Sequence, residues 1–357
     1  MSIPGYEIVP YLPELAEQAV AVLQCLWNGS TSRNLSLLEW KYERNPCAER
    51  PLALVALHNG EAVAFRGYSA NRYEIMGRTD RVLVLSPGDT VVHPEHRERG
   101  LSVAMGRLAM AEYASQYALF LNLSCNRRSL PGYLKMGFLP LEQKVYWTQS
   151  TARGLAEYLR AGHRAMPLEG APVALGPAGS VWVSDQPRPV EMAALAAAYR
   201  REQGRLRLSQ DDSFFSWRYS GGWRRYWFYY QMRDDSPVAY LVVSASMNAR
   251  RGYIVDYAEE EPGGIEQLLR HMVRVRPFGV LSVYGFCADP ALQQSLQRLG
   301  FSPYHPLRWF DKTAYGERPV LVRPVKAQPA EEDYRLHGVD VRHPESWTFK
   351  PICSDDA

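Results

Sequence analysis

No apolar run in the chain approaches the roughly 20 residues that a membrane-spanning helix needs, so such a helix is excluded. Met1 to Leu15 carries Pro4, Glu7, Pro10, Pro13 and Glu14 where a secretory signal would have its apolar core, so no signal peptide is expected. The cysteines are Cys25, Cys47, Cys125, Cys287 and Cys353, odd in number and without Cys-x-x-Cys spacing. That pattern argues against both a disulfide framework and a zinc site, and the expected compartment is a reducing cytoplasm. Charge of one sign is also scarce: the net charge of +3 is too mild to point to nucleic acid or a membrane surface. What remains is a globular composition, 46% hydrophobic, in 357 residues, enough for two or three domains.

The most informative stretch is Thr90-Val91-Val92-His93-Pro94-Glu95-His96-Arg97-Glu98-Arg99-Gly100-Leu101-Ser102. It reads as a strand end, a tight turn at Pro94, and the start of a helix running to Met110. The first N–H groups of a helix have no internal partner and bind anions, and a Gly there removes the Cβ that would obstruct a phosphate. Arg97 and Arg99 add full charges. The alternative is an ordinary strand-to-helix turn with a basic rim.

The spacing Arg97-x-x-Gly100-x-Ser102 resembles the Arg/Gln-x-x-Gly-x-Gly/Ala signature by which the GNAT N-acetyltransferase superfamily cradles the coenzyme A pyrophosphate, with Ser102 in place of the last small residue. Asn126-x-x-Ser129-x-x-x-Tyr133-x-Lys135-x-Gly137-Phe138 is similar to the family's downstream helix and its ending. The resemblance implies an α/β (α+β) fold with a mixed, mostly antiparallel central sheet flanked by helices, and acetyl-CoA or another acyl-CoA as donor, with no metal. Backbone groups of Val91 and Val92 would pair with the pantetheine arm, with His93 near the pyrophosphate. The amides of Arg99, Gly100, Leu101 and Ser102, after Glu98, and the Arg97 side chain would take the pyrophosphate. Tyr133 would protonate the departing thiolate, or else pack or cap its helix. Asn126 and Ser129 would touch the coenzyme, with helix capping an equal reading for Asn126. Asp89 stands where relatives often keep an acidic general base; it equally caps a turn after Pro87-Gly88.

Along the chain, Asn59-Gly60 between the apolar runs Leu52 to Leu57 and Ala62 to Tyr68 predicts a hairpin. Ala118 to Ser124 reads as a strand, and Val145 to Thr148 as the last strand of a first domain spanning 1–149. Residues 150–179, dense in Pro and Gly with a helix around Gly154 to Leu159, read as a linker. Residues 180–312 then echo the first half. Trp217-Arg218-Tyr219 matches Trp40-Lys41-Tyr42, a hairpin follows, Tyr253 to Tyr257 stands for the central strand, and Arg298-Leu299-Gly300-Phe301 mirrors Lys135-Met136-Gly137-Phe138; Tyr146-Trp147 pairs with Trp309-Phe310. Where Arg97 and Arg99 stood, the echo has Glu259-Glu260-Glu261-Pro262-Gly263-Gly264, whose charge would repel a pyrophosphate. Two tandem domains are therefore expected, the second degenerate, with an extended tail over 313–357 in which Val339 to Val341 is a candidate strand and Trp347 and Phe349 dock. Trp40, Tyr42, Tyr68, Tyr73 and their counterparts Trp217, Trp223, Tyr226, Trp227, Tyr229 and Tyr230 line either an acceptor cleft or a core.

The leading expectation is an acyl-CoA-dependent N-acyltransferase acting on the amine of a small molecule or sugar, with no nucleic-acid or membrane partner. The alternatives are a Fem-type aminoacyl-tRNA-dependent transferase and a coenzyme A-binding scaffold without activity.

Overall fold

The hairpin at Asn59 and Gly60 forms as predicted, with both residues in the left-handed region (φ 52° and 82°) that a type I′ turn requires. The structure is a computed structural model and describes residues 3–143, 145–150, 170–174, 179–199, 204–222, 224–245, 251–285, 290–303 and 319–353. Its strands are, in chain order, β1 (Glu7–Pro10), β2 (Ala53–His58), β3 (Glu61–Ile75), β4 (Arg81–Val92), β5 (Leu119–Asn122), β6 (Leu139–Gln143), β7 (Val145–Ser150) and β8 (Gly170–Ala174). There follow β9 (Ser180–Ser184), β10 (Leu206–Leu208), β11 (Arg225–Arg233), β12 (Ser236–Ala245), β13 (Arg251–Glu259), β14 (Val280–Gly285) and β15 (Pro319–Pro324).

Two units result, the first from Met1–Gln143, Gly204–Ser209 and Glu317–Trp347, the second from Lys144–Gln203, Gln210–Gly316 and Thr348–Ala357. In the first, the sheet order is β1-β2-β3-β4-β5-β15-β6, with β10 on β3. Neighbours are antiparallel except β4 and β5, which run parallel. Period-two alternation divides the sheet's side chains between its faces. Ala53, Val55, Phe65 and Val91 meet α1 (Ala16–Leu23) and α2 (Thr31–Leu38). Leu54, Ala56, Ala64, Tyr68 and Leu85 meet α3 (Leu101–Glu112) and α4 (Leu130–Lys135).

The second unit repeats the pattern in the order β7-β14-β13-β12-β11-β9-β8, again with one parallel pair, β13 and β14. Its helices are α5 (Pro189–Ala198), α6 (Asp212–Ser220), α7 (Gly264–Val275) and α8 (Pro290–Arg298). Gly137 and Gly300, which end the matching helices, share a φ of 79°.

The expected boundaries need three corrections. The Val145 to Thr148 strand belongs to the second sheet, where β7 pairs antiparallel with β14 and Thr148 Oγ1 lies 3.2 Å from Ser282 Oγ. Residues 170–174 of the supposed linker form β8 of the same sheet. The supposed tail contributes β15 to the first sheet, between β5 and β6. The physical reason is shared: an extended segment can pair with strands of either sheet, so its own pattern carries no address. The rest of the tail forms a short hairpin, Arg335–Leu336 with Val339–Asp340, then docks. Trp347 is fully buried, edge-on to Tyr73 with its Nε1 on the Val341 carbonyl, and Phe349 is buried in the second unit.

The aromatics expected at a cleft or core are buried where described, apart from the half-buried Trp217: Tyr42 packs on Phe65, Tyr68 on Tyr113 and Phe120, and Tyr229 and Tyr230 are buried in the second unit. The helix around Gly154, Trp223 and Trp309-Phe310 lie outside the described residues. No disulfide joins the described cysteines, Cys25, Cys47, Cys125 and Cys353, and no helix among the described residues is long and apolar enough to cross a membrane.

Candidate active site

The site begins with a register slip. Phe65 faces Val91 while Gly67 faces Gly88, so β4 carries one residue more than β3 between these pairs, and Asp89-Thr90 bulges opposite Arg66 with Asp89 at φ 40°. Beyond the bulge β4 is released on its other side, because its pairing with β5 ends at Leu85 and Phe120. The His93 N–H bonds the Val63 carbonyl at 2.8 Å, so alternation turns Val91 toward β3 and leaves the Val92 N–H and C=O on the open edge. Of the two valines expected to pair with a pantetheine arm, only Val92 turns its backbone groups away from β3, its N–H toward that edge and its carbonyl accepting from Arg97 Nε. The correction follows from strand alternation alone.

The turn after β4 is exposed from Arg97 to Gly100, with Glu98 (φ 62°) and Gly100 (φ 79°) in left-handed conformations. Gly100 is needed for that φ, since a Cβ there would meet no atom within 4 Å. Helix α3 starts directly after it with no side-chain cap, and its first internal bond runs from the Ala104 N–H to the Gly100 carbonyl. The amides of Leu101, Ser102 and Val103 therefore have no intrahelical acceptor, and the helix dipole favours an anion there. Arg97 Nε donates to the Val92 carbonyl (3.2 Å), and Arg99 donates to Tyr6 Oη (2.7 Å) and the Glu95 carbonyl (3.2 Å). Both guanidinium groups are thus anchored on the rim of the turn.

The second unit provides an internal control. Helix α7 also starts after a left-handed glycine, Gly263, yet buried Glu259 puts its Oε2 on the amides of Gly263 (3.2 Å) and Ile265 (2.7 Å). A carboxylate of the chain already holds the position that is vacant of side chains at α3. The glutamate run expected only to repel a phosphate also fills its seat.

Beneath the first turn lies a residue that sequence reasoning missed. Arg66 is only 2% exposed, and its Nη1 donates to both the backbone oxygen and the Oγ of Ser102 (3.1 and 3.2 Å). Nε donates to Tyr68 Oη at 2.7 Å, and the guanidinium also bonds the Tyr133 side chain, 5.2 Å from that ring's centre. Burial works against this charge, and the dipoles of Tyr68 and Tyr133 outweigh it, holding the Arg66 pKa above its ordinary value. Ser102, the departure from the family pattern, is therefore a ligand of Arg66. The available signal was a lone charge in the apolar run Ala62 to Tyr68.

Tyr133 is 6% exposed, edge-on to Phe138, on the α3 face of the sheet. Asp89 bonds residues of the opposite face: Oδ1 accepts from Trp27 Nε1 (3.0 Å), and Oδ2 accepts from Tyr42 Oη (2.7 Å) and pairs with Lys41 Nζ. The structure thus separates the two expected catalytic residues across the sheet. Lys41 and Tyr42 both reach Asp89 because Glu39–Glu43 continues α2 as a wider π-helical turn. Asn126 and Ser129 bind each other: Asn126 Oδ1 accepts the amides of Arg128 and Ser129, and Ser129 Oγ accepts the Asn126 amide. Thr90 Oγ1, at the bulge, is buried with no hydrogen-bond partner among the described residues.

A scan against protein-family models and a search of curated proteins gave no match. Solved structures do match. A GCN5-related N-acetyltransferase from Anabaena variabilis aligns over 90% of this chain and 73% of its own, at 12% identity and TM-score 0.56. A tandem GNAT protein from the clavulanic acid biosynthesis pathway aligns over 91% and 100%, at 16% and 0.53. Saccharomyces cerevisiae N-myristoyltransferase with bound myristoyl-CoA aligns over 90% and 83%, at 12% and 0.56. With both units following one strand plan and a tandem protein matched end to end, the chain has the fold of the GNAT N-acetyltransferases, in tandem.

Proposed function

We propose that the first unit is an acyl-CoA-dependent N-acyltransferase that transfers an acyl group, acetyl in the simplest case, directly to the amine of a small molecule or sugar. The observation that carries this reading is the start of α3, without a side-chain cap and following an exposed turn, beside the edge of β4 at Val92. The diphosphate of the coenzyme fits the amides of Leu101 to Val103, and the pantetheine amide fits Val92 as an added strand. This leads the thioester toward the gap where β4 leaves β5, near the unpartnered Thr90 hydroxyl.

The amine nitrogen attacks the thioester carbonyl, a C–N bond forms, the C–S bond breaks, and Tyr133 protonates the leaving thiolate. Arg66 holds the Tyr133 hydroxyl and favours its donation by placing positive charge beside the developing phenolate. Asp89 already accepts from Trp27 and Tyr42 and pairs with Lys41. With its oxygens so engaged, the amine's proton leaves to water, and water returns a proton to the Tyr133 phenolate.

The test is calorimetric titration with acetyl-CoA followed by a thiol-release assay over an amine library. Saturable binding with turnover on at least one amine is expected, and Tyr133→Phe should keep affinity and lose rate. Binding without turnover on any amine would favour a scaffold, and no binding would overturn the reading.

A further inference from the structure

We propose that His93, Glu95 and His96 form a binding site for a divalent, zinc-class transition metal on the turn that follows β4. This goes beyond the acyltransferase reading and does not depend on it. The ligand atoms of the three residues lie within 4.8 Å of one another, the one such His/Cys/Asp/Glu group among the described residues. A tetrahedral zinc with bonds of about 2.0 Å sets its ligand atoms about 3.3 Å apart. Side-chain rotation on this exposed turn closes the difference. Two imidazoles and a carboxylate are a donor set suited to zinc, with a fourth position left for water or another oxygen.

Three further observations support the site. The Glu95 carboxylate has no hydrogen bond or ion pair among the described residues, and only its backbone oxygen is engaged, by Arg99. His96 Nδ1 lies 2.8 Å from Tyr6 Oη, which leaves Nε2 for a metal and supplies the outer hydrogen bond that orients a ligating histidine. A third imidazole, His58, sits 5.1 Å from the His96 ring, and its Nδ1 donates to the Gly5 carbonyl at 2.7 Å, which turns Nε2 away from that bond beside the cluster. Arg99 stands close by on Tyr6, and the Glu95 carboxylate offsets its repulsion of a cation.

The experiment is isothermal titration of the full chain with zinc chloride, repeated on His93→Ala, His96→Ala and Glu95→Gln, with circular dichroism to verify folding. One saturable equivalent is expected, weakened at least about tenfold in each histidine variant, and about tenfold in Tyr6→Phe through the lost outer bond. Cobalt(II) in place of zinc should give visible ligand-field bands without thiolate charge transfer in the near ultraviolet. No saturable equivalent, binding untouched by both histidine substitutions, or a thiolate band assigning the metal to cysteine would each overturn the proposal.

Discussion

The Lys41–Asp89 pair offers a test in which stability and catalysis separate. Its side chains are 10% and 11% exposed, and Asp89 also accepts from Trp27 and Tyr42. Asp89→Asn puts an amide donor among three donors and takes the carboxylate away from the Lys41 ammonium. Breaking a buried pair costs about 3–5 kcal/mol, and the residual access of water to this one brings the expectation to about 2–3 kcal/mol. Lys41→Met leaves Asp89 with two neutral donors and should cost less. The double variant removes both charges and should recover about 1–2 kcal/mol relative to the sum of the singles. Urea unfolding of the four proteins measures this coupling. Additivity within about 0.5 kcal/mol would refute the pairing as a structural latch. The same proteins decide whether Asp89 is a base, because loss of a general base lowers the rate about 10²–10⁴-fold. The double variant, if folded, should keep its rate within about tenfold; a fall into the larger range would return Asp89 to the chemistry.

Arg66→Met should leave acetyl-CoA affinity in place while lowering kcat about 10- to 100-fold, since Tyr133 loses its orienting partner; an unchanged kcat would remove Arg66 from the mechanism. Glu259→Ala should cost about 1–2 kcal/mol by uncapping α7, without creating a second coenzyme equivalent in calorimetry, because Glu260 and Glu261 remain. The fully buried Tyr68 phenol is pushed up to about 12 by burial, with Arg66 pulling the other way. Its folded value lies above the unfolded value near 10, so its stabilising contribution is complete below about pH 10 and is lost between about 10 and 12. Tyr68→Phe should therefore flatten the loss of stability over that window, measured by urea unfolding across alkaline pH, and an unchanged slope would contradict the assignment.

What the sequence made legible was what local chemistry encodes. Asn59-Gly60 demands a turn, Gly100 demands a left-handed residue before a helix, and the Gly137 and Gly300 helix endings match because the same φ ends both. Partnership across the chain was not legible. β7 and β15 are short extended segments able to pair with strands of either sheet, so their pattern cannot say which sheet takes them. Arg66 escaped notice because a charge inside a strand pattern looks like an outward residue until its partners Ser102, Tyr68 and Tyr133 are placed. The His93, Glu95 and His96 grouping escaped because metal was weighed from cysteine spacing alone.

The duplication itself argues about Asp89. In the second unit the central strand also slips register, between the pairs Val242 with Asp256 and Val243 with Ile254, and an aspartate sits at the slip. Asp256 is fully buried, accepts from Tyr240 (2.9 Å) and Gln210 (2.8 Å), and pairs with Lys350 at 3.0 Å. Lys350 also donates to the Tyr257 carbonyl at 2.6 Å, meeting a backbone group beside the slip. A bulge leaves strand groups without ladder partners, and a buried lysine-aspartate pair braced by a tyrosine hydroxyl is a compact way to satisfy the region. That arrangement occurs in the unit whose helix start is occupied by the Glu259 carboxylate. The same triad of acid, ammonium and phenol at Asp89, Lys41 and Tyr42 is then explained by the bulge alone, while the features found only in the first unit, the open amides after Gly100 and the Arg66–Tyr133 contact, are the ones left for function to explain.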